Sequence, residues 1–147
     1  MNEAHATQQN QNLAMTIAHD VPQDVKDAIE SGIDRFSNEY TDRPRQACFI
    51  TVYDGERLVG GLRAESLGEW FYIKHLWVDE NFRGQGLGMD LLNKAEQEAK
   101  ARQCTILWVD TLSYQAPGLY EKAGYKAAAT VPQYRGQYDR IFFRKDV

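Results

Sequence analysis

Leu13, Met15 and Ile17 alternate with small or polar residues, the two-residue period of a half-buried strand. The period then becomes helical. Val25, Ile29, Ile33 and Phe36 fall on one apolar stripe, Asp20 and Pro22 supply helix-start chemistry, and Arg43-Pro44-Arg45 ends the pattern. Residues 48–53 read as a strand, Asp54-Gly55 as a tight turn, and residues 58–64 as the hairpin partner. Leu67-Gly68 marks another turn before a long strand, Trp70–Val78, rich in aromatic and β-branched residues. A glycine-rich loop covers residues 79–88, and Leu87, Leu91, Leu92, Ala95 and Ala99 then trace a helix ending near Arg102. Residues 105–109 form a short apolar strand, and Pro117 opens a short helix that Gly124 closes as its C-terminal cap. Strands around residues 125–131 and 140–143 follow, with a turn containing proline and glycine between them. Strand, helix, three-strand meander, helix, strand, helix and two strands predict a mixed α/β sheet.

Residues 1–12 are polar and rich in glutamine and asparagine, and are expected to form a flexible tail. The chain of 147 residues then leaves 13–147 as one domain, large enough for a core without staples. Seventeen Lys and Arg against 21 Asp and Glu give a net charge of −4, which disfavours the basic surface that nonspecific nucleic-acid binding needs. Cys48 and Cys104 are too few and too far apart for a disulfide framework or a zinc cluster, so no metal is expected. No apolar run approaches a membrane span and no signal region opens the chain. A cytoplasmic protein with no membrane partner is the expectation.

The loop carries the first chemical signal. A strand that feeds glycines and then a helix is suited to an anion, because the first helical amides lack internal partners and the dipole favours negative charge. The Walker pattern is absent, since no Lys-Ser or Lys-Thr pair follows Gly88. The dinucleotide fingerprint fails at its last glycine, where Met89 stands. What stands is R-x-x-G-x-G, from Arg83, Gly86 and Gly88, with Gly84 beside them.

The segment LWVDENFRGQGLGMDLL resembles the acetyl-CoA signature of the GNAT superfamily of N-acetyltransferases, and QAPGLYEKAGYK resembles that family's second cofactor motif. The resemblance runs over roughly residues 13–145. It implies a mixed, mostly antiparallel central sheet with one splayed strand pair, flanked by helices on both faces. It further implies acetyl-CoA as cofactor, with the amides of Arg83, Gly84, Gln85, Gly86, Leu87, Gly88 and Met89 on the pyrophosphate. Backbone groups of Leu76, Trp77 and Val78 would run beside the pantetheine, and Ser113 stands where the family often has a cofactor-contacting asparagine. Tyr120 stands where the family places a tyrosine hydroxyl near the sulfur, so a general-acid role is the leading reading against a merely packed helix tyrosine. The acceptor would be a primary amine of a small molecule or a peptide, and a homodimer stays open.

Acetyl transfer also requires that the acceptor ammonium lose a proton. Where many family members carry a glutamate, nine or eleven residues before Arg83, this chain has Lys74 and Tyr72. His75 is the neighbouring group of near-neutral type, yet strand alternation turns it away from Tyr72 and Lys74 and predicts a buried structural histidine. Water-mediated paths toward Glu65, Glu69 or Asp110 leave the base unassigned. Lys74 either draws a substrate carboxylate into the cleft or reaches solvent. Gln115 could share the work of Ser113. Trp70, Trp77 and Trp108 are expected in the core, and Tyr134 and Tyr138 either border the acceptor pocket or are solvated turn residues. A non-catalytic acyl-CoA-binding module is the competing reading, and a transferase of another acyl group shares every motif.

Overall fold

The computed structural model describes residues 13–147, in two compact units that divide between Ile33 and Asp34. The expected tail at 1–12 lies outside the described residues. In the first unit, Leu13, Met15 and Ile17 are exposed and form no strand. Alternation supplies a face, but a strand also needs a neighbour's edge to take its backbone hydrogen bonds. Helix α1 (Gln23–Asn38) begins in this unit, where the Pro22 carbonyl accepts from the Val25 and Lys26 amides. Its stripe of Val25, Ile29 and Ile33 is exposed, and no residue of the helix is buried.

The second unit holds one six-stranded sheet. Its strands are β1 (Gln46–Asp54), β2 (Arg57–Leu67), β3 (Trp70–Val78), β4 (Ile106–Leu112), β5 (Lys126–Arg135) and β6 (Tyr138–Asp146), in spatial order β1-β2-β3-β4-β6-β5. Every neighbouring pair is antiparallel except β3 and β4. A 3₁₀ turn (Glu80–Phe82) and helix α2 (Leu87–Ala101) connect that parallel pair, and helix α3 (Pro117–Lys122) follows β4. The mixed, mostly antiparallel sheet expected from the sequence is therefore present. Most strands run beyond their apolar cores, because ladder pairing continues through polar ends such as Glu65-Ser66 and Arg135.

Leu91, Leu92, Ala95 and Ala99 of α2 form one core cluster with Phe71, Ile73, Leu107 and Phe143, all at most 2% exposed. A Cβ on Gly88 would stand 3.1 Å from Leu119 Cδ2, so this glycine lets the start of α2 approach α3 closely. The tryptophans depart from expectation. Trp70 is 42% and Trp77 46% exposed, because both alternate with the buried positions of β3. Trp70 meets Trp108 edge-on at 5.8 Å on that outer face. No helix among the described residues is long and apolar enough to cross a membrane.

Two features of β3 shape the cleft. It pairs with β4 only from Trp70↔Ile106 to Ile73↔Val109, after which the strands run to Val78 and Leu112 unpaired, and so splay. The register with β2 also slips there, from Ala64↔Ile73 to Arg63↔His75, leaving Lys74 as an extra residue. This is a β-bulge, which bends a strand and re-aims its side chains. Ile73 is core, and Leu76 and Val78 pack against the core beyond it. Inward positions three apart require that Lys74 and His75 share the opposite face. The strict alternation used to turn His75 away from Lys74 therefore fails, and His75 is exposed rather than buried.

Candidate active site

A cavity of about 960 Å³ follows the splay, between β3 from Lys74 to Val78 and Val109, Asp110 and Thr111 of β4. One end is closed by the glycine loop. Asp79 accepts from the Asn81 amide at 2.9 Å and from Arg57 at 2.7 Å, fixing the 3₁₀ turn before it. Gly84 and Gly86 adopt φ of +72° and +89°, a left-handed geometry that other residues reach only with strain. A side chain on either would project into open space, with nothing within 4 Å. Gly86 caps α2 without a side-chain hydrogen bond, and its carbonyl accepts from the Asp90 amide at 3.0 Å. The amides of Leu87, Gly88 and Met89 precede that first helical bond and have no partner within the helix. Bare backbone, uncapped amides and the positive end of a helix dipole form a cradle suited to pyrophosphate.

Leu76, Trp77, Val78, Arg83, Gly84, Gly86, Leu87, Gly88, Met89 and Tyr120 all line the cavity. Gln85 does not, and its amide group donates to the Asn81 carbonyl at 3.3 Å, bracing the loop. Arg83 reaches back to the Val78 carbonyl at 3.0 Å. Ser113 also lies outside the lining, where its hydroxyl accepts from the Asp139 amide at 3.1 Å. Gln115 lines the cavity instead, with its side-chain oxygen accepting from the Leu112 amide at 2.9 Å and from the Thr111 hydroxyl at 3.0 Å. Tyr134 and Tyr138 are outside the lining, whereas Tyr114, 4.7 Å from the Tyr138 ring, is in it. Tyr114 of the lining lies just outside the second quoted motif.

Tyr120 is 6% exposed, its ring 5.7 Å from Phe143 and 6.0 Å from Tyr125. Burial, helped by the charge of Asp110, pushes its phenol up to about 12, so the hydroxyl keeps its proton at neutral pH. The Tyr72 hydroxyl donates to Asp110 at 2.6 Å, and burial with that bond pushes it likewise to about 12. Arg140 holds the other oxygen of Asp110 at 2.6 and 2.7 Å. Glu65 is paired with Arg45 and, at 2.8 Å, with Lys74. Glu69 belongs to the far end of β3, where its carbonyl accepts from the Thr105 and Ile106 amides. The nearby carboxylates are thus engaged by cations or removed from the cavity. Cys48 and Cys104 are free and buried, with thiols that burial pushes up, and neither lines the cavity.

The tyrosine shifts predict alkaline behaviour. Tyr120 binds its proton more tightly folded than unfolded, so its contribution is complete below pH 10 and lost as pH rises toward 12. At about 1.4 kcal/mol per unit, that residue alone carries about 2–3 kcal/mol. Melting temperature is therefore expected to fall more steeply over this range in the wild type than in Tyr120→Phe. Parallel profiles would contradict the shift.

The chain matches the acetyltransferase (GNAT) family over residues 14–125 and belongs to that family. It is 42% identical over 91 residues to a blasticidin-S acetyltransferase of Streptomyces morookaense, a match covering 58% of this chain and 65% of that protein. It thus spans less than two thirds of that relative. The fold is similar to a crystal structure described as a putative acetyltransferase from Agrobacterium tumefaciens, with TM-score 0.83 and 23% identity over 92% of this chain and all of the other. It is also similar to a putative streptothricin acetyltransferase from Bacillus anthracis, solved with acetyl coenzyme A, with TM-score 0.64, 20% identity and coverage of 76% and 68%.

Proposed function

We propose that this chain is an acetyl-CoA-dependent N-acetyltransferase that moves the acetyl group directly to a primary amine of a small molecule or peptide. The observation that carries this reading is the splayed β3–β4 gap, with the glycine cradle at one end and the protonated Tyr120 hydroxyl in its wall. Acetyl-CoA supplies an activated thioester carbonyl and a sulfur leaving group. Residues 83–89 would hold its pyrophosphate, the helix-start amides of Leu87, Gly88 and Met89 foremost. The unpaired edge of β3 at Leu76 and Val78 offers backbone groups to the pantetheine amides. Gln115 is better placed than Ser113 for polar contact there.

Tyr120 holds its proton at the phenolic oxygen. An ordinary thiol loses its proton near 8.5, well below the value of about 12 for this phenol. Tyr120 thus assists chiefly by hydrogen-bonding the departing sulfur, the proton following late. The relatives named for blasticidin S and streptothricin support a small-molecule amine, and the free buried thiols fit a reducing, cytoplasmic setting. Neutralised Glu65 and Asp110 favour the second reading, a non-catalytic acyl-CoA-binding module. A thermal-shift titration with coenzyme A beside thiol release over an amine panel separates the two. Binding without amine-dependent release selects the module, and no shift at all overturns both.

Lys74 lines the cavity with its charge partly offset by Glu65. Lys74→Glu makes this mouth acidic and is expected to raise kcat/KM for polyamines relative to amino acids by roughly tenfold, about 1.4 kcal/mol of Coulomb energy. An unchanged acceptor profile would remove Lys74 from the site.

A further inference from the structure

We propose that His75 is the general base that takes the proton from the acceptor ammonium. The inference rests on the acetyl-transfer reading above and supplies its missing proton acceptor. The bulge at Lys74 turns His75 to the same face as Lys74, and the imidazole lines the cavity that also contains the glycine cradle and Tyr120. Among the described residues its imidazole makes no hydrogen bond or ion pair, whereas Glu65 and Asp110 are both paired and Glu69 is outside the cavity lining.

The chemistry suits an imidazole. Histidine is the one side chain whose ordinary ionisation falls between pH 5 and 8, so it can accept a proton near neutrality and release it to water. The charged and titratable groups around it are mostly cationic or paired. Arg63 stands directly opposite on β2, Lys74 precedes it, Arg83 lies in the loop, and Lys122 lies on α3 beside Tyr120. Asp110 of β4 is held by Arg140 and Tyr72, and Glu65 by Arg45 and Lys74. Both carboxylates among these neighbours are thus already engaged.

The step balances within the groups already named. One proton passes from the acceptor ammonium to a ring nitrogen of His75, directly or through one water. The freed amine lone pair forms the new C–N bond at the thioester carbonyl carbon, the C–S bond breaks, and the Tyr120 hydroxyl meets the sulfur that departs with its electron pair. A proton from the acylated nitrogen restores the phenol through solvent, and His75 gives its own proton to water.

The test uses the purified full chain and an amine that the wild type acetylates. His75→Gln is expected to lower kcat by about 10²-fold or more, the range for a positioned base. The acidic limb of the kcat/KM profile should vanish in the variant, and added imidazole should partly restore His75→Ala. Because His75 is exposed, both variants should keep the wild-type melting temperature and the full coenzyme A shift. A readout apart from turnover is carbethoxylation by diethyl pyrocarbonate mapped by peptide mass. Acetyl-CoA should slow modification of His75 and leave exposed His19 unaffected. Turnover within twofold of wild type with the acidic limb intact would overturn the assignment, as would loss of activity accompanied by loss of the coenzyme A shift. A wild type that binds coenzyme A but acetylates no amine overturns the transferase reading itself, and is seen without any variant.

Discussion

Tyr120→Phe is expected to lower kcat by roughly 10²–10⁴-fold, the usual contribution of a proton donor placed at a leaving group. The substitution keeps the ring against Phe143 and Tyr125 and removes only the hydroxyl of this cavity-lining residue. Coenzyme A affinity should change little, because the phosphate cradle and the β3 edge supply most of the hold. Turnover measured beside a coenzyme A thermal shift checks both halves. Near-wild-type turnover would mean that the sulfur departs without Tyr120, and would return weight to the binding-module reading.

Gly86→Asp is expected to abolish the stabilisation by coenzyme A. The wild type should gain about 2.7 kcal/mol at 100 times the dissociation constant, and the variant almost none, since a carboxylate would stand where phosphate oxygens belong. Gly86 sits at φ +89°, so the variant also carries left-handed strain of about 1–2 kcal/mol. Gly136 supplies the control, with φ +63°, open space around it and a place in the β5–β6 turn away from the cavity. Gly136→Asp should lose comparable intrinsic stability and keep the full ligand shift. A full shift in a folded Gly86→Asp protein would show that the loop is not the phosphate site.

Much of this arrangement is legible in the sequence, for local reasons. Trp70–Val78, the glycine loop and α2 are specified by turn chemistry and periodicity within a few residues, and the structure places them as read. The glycine-cradle end of the cavity follows from those elements. What escaped depends on pairing across the sheet. The apolar alternation of Leu13, Met15 and Ile17 finds no neighbouring edge, and the outward tryptophans of β3 follow from which face α2 covers. The bulge is invisible in Tyr72-Ile73-Lys74-His75 because it arises from register against β2, and strict alternation alone predicts a buried His75 where the structure exposes it. The Ser113 hydroxyl accepts from the Asp139 amide, 26 residues away, and Asp110 is held by Arg140, 30 residues away. No short motif encodes either contact.

The most direct measurement is amine-dependent release of coenzyme A thiol from acetyl-CoA by the purified chain, with the product mass read in the same reaction. Turnover over a panel of small amines and peptide amines should yield one acceptor heavier by a single acetyl group per thiol released, with background release when the amine is omitted. Thiol release that ignores the amine, or coenzyme A binding with no acetylated product from any acceptor, would contradict the account.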